Sequence, residues 1–224
     1  MIVVNKEKMI IKPIDKKETY EFILNKHYAQ RKPSISFAFG LFIENRLEGI
    51  LTIGKPASNS LCESVCGKEY KEFVYELNRL CVNDGLEKNT LSYFVGEVLR
   101  QLKCKKIILV SYADTGMGHH GYIYQATNWL YTGATKKQKD KYAPNGKHSR
   151  HAKDYDDFFK HLRVIRTIKH RYIFIPNKQF RKECLNKLNF EILPYPKGDN
   201  ERYILGEKMK RTVINIETNE VFEE

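Results

Sequence analysis

The chain has 224 residues, with 39 Lys and Arg against 27 Asp and Glu, 42% hydrophobic residues and five Cys. That length suits one compact domain with a core large enough to dispense with disulfides, and five Cys at irregular spacings fit a reducing, cytoplasmic setting. No apolar run approaches the ~18 residues of a membrane span, and the first dozen residues alternate apolar with charged, which argues against a signal peptide and a membrane partner.

Asp15 is placed to cap a helix in which Tyr20, Ile23, Leu24, His27 and Tyr28 follow helical spacing. Residues 36–43 and 47–53 are apolar runs on either side of Glu44-Asn45-Arg46 and read as a β-hairpin. Residues 57–71, with Ser, Asn, Gly and two Cys, read as a loop, and Phe73 to Val82 as a strand closed by Asn83-Asp84-Gly85. Leu91, Phe94, Val95, Val98, Leu99 and Leu102 form one helical stripe, with Asn89 or Thr90 as its cap. Ile107 to Val110 reads as a strand covered on both faces, and polarity returns at Ser111-Tyr112-Ala113-Asp114. A glycine-rich turn, a short helix over 122–128 and a strand over 129–133 follow. Farther on, 171–175 reads as a strand, 178–188 as a helix, and the last dozen residues as a peripheral strand or tail. The expected fold is therefore α/β (α+β), a mixed central sheet flanked by helices in the order found in acetyltransferase-like folds. Residues 1–135 would form the core, and 136–224 a basic C-terminal lobe continuous with it.

Charge is concentrated in that lobe. Residues 136–187 hold 16 Lys and Arg against five Asp and Glu, a net +11 of the chain's +12. A one-sided excess of this size points to a polyanion partner, and nucleic acid fits it best. Lys136, Lys137, Lys139, Lys141, Lys147 and Arg150 are the candidate phosphate contacts. Interleaved aromatics, among them Tyr142, Phe158, Tyr172 and Phe174, are placed either to stack on bases or to build the lobe's own core.

Four groups of residues could carry chemistry. His27, with Tyr28 and Arg31 beside it, could accept a proton or bind a metal. In the strand Glu76-Leu77-Asn78-Arg79-Leu80, strict alternation puts Glu76 and Asn78 on one face and Arg79 on the other, and a buried Arg79 calls for a carboxylate or phosphate. Asp114 lies just beyond a buried strand, where open α/β sheets gather ligands, and Gly116, Gly118, His119, His120 and Gly121 follow it. A capping role for Asp114 is the plain alternative. Cys62 and Cys66 lack the second pair that a zinc site needs. The coenzyme-A signature Gln/Arg-x-x-Gly-x-Gly/Ala is absent ahead of Leu91, where Glu87-Lys88-Asn89-Thr90 stands instead.

Taken together, His27-Tyr28, Glu76-Leu77-x-Arg79-Leu80, Ser92 and the run from Ser111 through Gly118-His119-x-Gly121-x-x-Tyr124-Gln125-Ala126-x-Asn128-Trp129-x-Tyr131-x-Gly133 resemble the Mom-type DNA adenine modification proteins of bacteriophages. The resemblance covers roughly residues 20–135. It implies an acetyltransferase-like fold, a phage or prophage origin and action in the cytoplasm of a bacterial host. It also implies conversion of adenine N6 in double-stranded DNA to a carbamoylmethyl derivative that protects against restriction. His27, Arg79, Ser92 and Asp114 are the functional residues it points to, with Tyr112 and His119 added from local context. Asp114 or His27 would serve as base, Arg79 would hold an anionic group, and Ser92 with Thr90 would meet the donor at the start of the helix. The donor stays open, acetyl-coenzyme A and iron included, with His27 and His119 as candidate metal ligands. A homodimer is also left open. The main rival is an acyl-coenzyme A-dependent N-acyltransferase acting on a small molecule or protein. An inert DNA-binding protein and a metal-dependent nuclease using Asp114, His119 and His120 stand further back.

Overall fold

The computed structural model describes residues 9–145, 147, 149–199, 201 and 203–224; residues 1–8 and His148 lie outside the described residues, as does the side chain of Arg150. A seven-stranded mixed sheet forms the centre. In chain order its strands are β1 (Met9–Pro13), β2 (Phe37–Ile43), β3 (Arg46–Gly54), β4 (Val74–Val82), β5 (Ile108–Asp114), β6 (Leu130–Ala134) and β9 (Lys169–Phe174). They lie side by side as β1-β2-β3-β4-β5-β9-β6. Between β6 and β9 the chain leaves this sheet to make β7 (Lys139–Lys141) and β8 (Leu162–Ile165). These join β10 (Thr212–Asn215) and β11 (Val221–Glu223) in a second sheet ordered β11-β10-β8-β7. Residues 136–224 are thus shared between both sheets, with β9 hydrogen-bonded between β5 and β6.

Helices cover both faces of the main sheet. On one face, α2 (Thr90–Gln101) buries Phe94, Val95, Val98 and Leu99 against Phe39, Leu41, Leu51, Ile53, Leu77 and Leu109. Its amphipathic stripe makes that packing the low-energy choice, because burying each large apolar side chain contributes roughly 1.5–3 kcal/mol. Tyr124 of α3 (Tyr122–Ala126) and Trp129 extend the same cluster. On the other face, α1 (Asn59–Cys66) and α5 (Lys178–Leu185) pack on Val74, Ile108, Val110 and Ile173.

Several elements differ from the sequence expectation. Residues 57–71 contain α1 rather than a loop: Ser58 caps it, and Cys62, Val65 and Cys66 bury at i, i+3 and i+4. The first helix is a 3-10 turn (Lys16–Thr19), closed by a capping box between Asp15 and Glu18, that widens into a π-helical turn (Phe22–Lys26). The wider turn changes the helical phase. Phe22 and Ile23 point inward, while Leu24 is turned out to solvent. The hairpin turn is the two-residue Glu44-Asn45, both at positive φ, which matches the twist of the strands it joins. The last dozen residues form the β10–β11 hairpin. Of the aromatics in the basic segment, Tyr172 and Tyr142 are buried and Phe158 is exposed; α4 (Asp156–Phe159) carries the last.

The pair β4 and β5 runs parallel and is joined over only three residues, from Val74↔Ile108 to Glu76↔Val110. Beyond that point the two strands separate. Ser111, on β5, bridges the start of the gap: its hydroxyl donates to Leu77 O at 2.8 Å and lies 2.7 Å from the Tyr124 hydroxyl. With Ser111's one proton committed, Tyr124 donates to it. Ser111→Ala should therefore leave two buried polar atoms unpaired and cost about 1–3 kcal/mol in urea unfolding, without changing the secondary structure seen by circular dichroism.

Candidate active site

A cavity of about 520 Å³ occupies the gap between β4 and β5. It is lined by Lys88, Asn89, Leu91 and Ser92 at the start of α2, by His27, Tyr28, His119 and Tyr203, whose rings lie against one another, and by Glu76, Arg79, Tyr112 and Asp114.

A β-bulge decides which side chains meet there. Thr52 of β3 pairs with Arg79 and Ile53 with Leu77, so Asn78 is the extra residue. Its amide is held by Thr52 Oγ1 (2.7 Å) and by Ser34 O (2.8 Å). Before the bulge Val74 packs under α1 and α5 while Tyr75 and Leu77 pack under α2; after it Leu80 and Val82 pack under α2 and Cys81 packs with Phe22 and Ile23. The bulge thus reverses the phase, correcting the simple alternation read from the sequence: Arg79 shares a face with Glu76. In β5, Ile108 and Val110 face α1 and α5. Alternation then gives that face to Tyr112 and Asp114. One surface of the sheet carries all four groups.

His27 ends the π-turn in an extended conformation and is 5% exposed. Its Nδ1 accepts the Ala29 backbone N–H at 3.0 Å. A nitrogen that accepts carries no proton, so the neutral ring holds its proton on Nε2 and can only donate from there. Burial, with Arg79 and His119 nearby, lowers its pKa to about 3. Both facts oppose a base role. They also oppose metal ligation through Nε2. Among the described residues no three His, Cys, Asp or Glu side chains gather as a metal site, and His27 with His119 does not fit iron.

Asp114, 2% exposed, has both oxygens engaged: Oδ1 accepts from Gly116 N at 3.0 Å, and Oδ2 lies 2.7 Å from Lys169 Nζ. Asp114 and Lys169 are directly opposed in the β5–β9 register. The carboxylate therefore caps the turn Thr115–Met117 and pairs with a lysine 43% exposed.

Glu76 is a further residue of the site, to which the sequence alone gives no role. Its carboxyl makes no hydrogen bond or ion pair among the described residues, and burial raises its pKa, against the opposing pull of Arg79, Lys169 and Arg31. A buried polar position in an apolar strand was the available signal. Arg79 is held by two carbonyls, Asn78 O (2.5 Å) and Arg31 O (2.8 Å), and its Nε is buried without a partner. Among the described residues its charge meets no carboxylate within ion-pair distance. Burial also pushes Tyr112 and Tyr28 up to about 12, so both hydroxyls stay protonated at neutral pH.

Asn89 precedes α2 in the left-handed conformation and its side chain makes no capping hydrogen bond. An uncapped helix start beside Lys88 suits an anion. Ser92 lines the cavity with its proton donated to Asn89 O (2.9 Å). Thr90 is 1% exposed and does not line it. Lys147 lines a second, adjoining cavity; Lys136, Lys137, Lys139 and Lys141 are exposed and line neither.

Residues 8–197 match the Mom protein family. The chain belongs to that family. A Mom relative, the methylcarbamoylase of Escherichia phage Mu, is 28% identical over 191 residues, 78% of each chain. Among solved structures, a GNAT family acetyltransferase from Elizabethkingia anophelis with acetyl-CoA bound is 11% identical, with TM-score 0.42 over 76% of this chain and 99% of its own. The ribosomal-protein-S18-alanine N-acetyltransferase of Escherichia coli is 8% identical, with TM-score 0.46 over 75% and 94%. In this Mom-family chain no helix of the described residues is long and apolar enough to cross a membrane.

His27 gives a test of the site's electrostatics. Its folded pKa lies below the unfolded value of 6.5, so its contribution to stability is complete above pH 6.5 and is lost as pH falls toward about 3. His27→Asn, whose side-chain oxygen can still accept the Ala29 N–H, should flatten the stability slope by up to about 1.4 kcal/mol per pH unit in that window. Urea unfolding at a series of pH values reads it.

Proposed function

We propose that this protein is a transferase that modifies adenine N6 in DNA, adding a carbamoylmethyl group that shields phage DNA from restriction. Membership of the Mom family and the relative named a methylcarbamoylase support the reading. The observation that carries it is the cavity between the separated strands, lined by an anion-ready helix start and by a half-buried carboxyl beside an arginine that no carboxylate pairs among the described residues.

Adenine N6 is a weak nucleophile because its lone pair is delocalised into the ring. Glu76 takes the N6 proton as the new N–C bond forms, and the leaving group keeps the electrons of the bond it gives up. Raised proton affinity suits Glu76 to that task at neutral pH. Arg79 faces the charge that develops on the oxygen of the transferred group or on the leaving group, in a site where water is scarce and the attraction correspondingly strong. His27 Nε2–H is a further donor on the same side. Asp114 positions rather than reacts: it fixes the turn that carries His119 and holds Lys169 at the cavity's edge. A donor of coenzyme A type would supply an activated carbon, and Lys88, Asn89 and Ser92 are the residues that would hold its phosphates. Glu87 in place of a glycine-rich loop weighs against the usual pyrophosphate cradle.

Glu76→Gln keeps the shape and removes the base. Mass analysis of DNA nucleosides after expression in bacteria should show modified adenine falling by about 10²–10⁴-fold with an unchanged melting temperature. Full modification by that variant would exclude Glu76 as the base. Absence of any modified adenine with the unaltered protein, alongside acylation of a small amine, would favour the N-acyltransferase reading.

A further inference from the structure

A second cavity, of about 390 Å³, opens beside the first and shares Arg31, Asp114 and Lys169 with it. Its walls come from the second sheet and from the connection between β8 and β9. Six cationic side chains line it (Arg31, Lys147, Arg166, Lys169, Lys210 and Arg211) against two carboxylates, Asp114 and Asp140. Four of the cations are already engaged. Arg166 pairs with Asp140, Arg211 with Glu224 and Lys169 with Asp114, while Lys147 donates to the Tyr155 hydroxyl. Arg31 and Lys210 are exposed and make no ion pair among the described residues.

We propose that this second cavity seats the phosphodiester flanking the adenine whose base enters the first, gripped by Arg31 and Lys210; the proposal rests on the DNA-modifying reading of the site. A base leaving a stacked duplex stays covalently tied to its own sugar and phosphate, so the cavity that receives it needs an anion site one sugar away. The lining charge has the right sign, and the two cavities meet at Asp114 and Lys169. Engaged cations such as Lys169 and Arg211 are held in place by their partners and add field. The two unpaired ones can close on a phosphate. Lys136, Lys137, Lys139 and Lys141 line neither cavity, so the contacts that set the position of the target nucleotide differ from the lysine run that stands out in the sequence.

The test uses the full chain and a short fluorescein-labelled duplex in which one adenine faces an abasic site, with binding followed by anisotropy over a range of salt. Arg31→Gln/Lys210→Gln should lower the log–log salt slope by about 0.9, the value for one phosphate no longer neutralised. Arg31→Lys/Lys210→Arg, which keeps both charges, should restore it. Replacing the linkage beside the adenine with a neutral methylphosphonate should weaken the unaltered protein and leave the Gln variant unchanged, since both changes remove the same contact. Additive losses, or an unchanged slope in the Gln variant with a full loss in Lys136→Gln/Lys137→Gln, would overturn the cleft while leaving DNA as substrate. No binding of the duplex by the unaltered protein would overturn the DNA reading itself.

Discussion

The separation of β4 from β5 is the constraint on which the rest of the site depends. A parallel pair that stops after Glu76↔Val110 releases backbone groups that would otherwise be satisfied by the ladder. The protein answers with side chains, Ser111 reaching Leu77 O and Tyr124 completing the chain. Those bonds let the gap persist as a cavity rather than collapse. The lining of that cavity includes both the start of α2 and His27 at the end of the π-turn.

The bulge at Asn78 complements that separation. Without the extra residue Arg79 would project toward α2, into the apolar cluster that holds Leu77 and Leu80. A guanidinium there would lose its hydration with no carbonyls to receive it. With the bulge, Arg79 lies beside Glu76, bound to Asn78 O and Arg31 O. The charge is tolerated through these carbonyls, while its Nε is left without a partner.

Much of this was legible in the sequence where local periodicity is strong. The stripe from Leu91 to Leu102 gives α2, and the two apolar runs about Glu44-Asn45 give the hairpin. The segment 57–71 was not legible, because its Ser, Asn and Gly outweigh the short stripe of Cys62, Val65 and Cys66, which becomes a buried face only through contact with Val74 and Phe180. Arg79, Asp114, His27, Tyr112 and Ser92 were found as polar residues in apolar surroundings and all line the cavity. Their division of labour was hidden. The tautomer of His27 depends on a backbone N–H two residues on, and the partner of Asp114 lies on a strand that comes 55 residues later in the chain. Glu76 was visible as an anomaly, yet its proton affinity follows from burial, which a sequence does not display.

The position of β9 sets an order of assembly. It is a central strand of the main sheet, between β5 and β6, and the chain reaches it only after laying out β7 and β8. Until β9 emerges from the ribosome, β6 lacks its neighbour and the far edge of β5 stands exposed, the kind of edge on which misassociation begins. Closing such a distant pairing is slow, because a long loop must be ordered before any contact rewards it. The strand that completes the sheet also delivers Lys169 to Asp114 and brings the second sheet against the cavity. A truncated or half-folded chain therefore has neither the finished sheet nor the charged cleft, and competence toward substrate arrives together with structural completion.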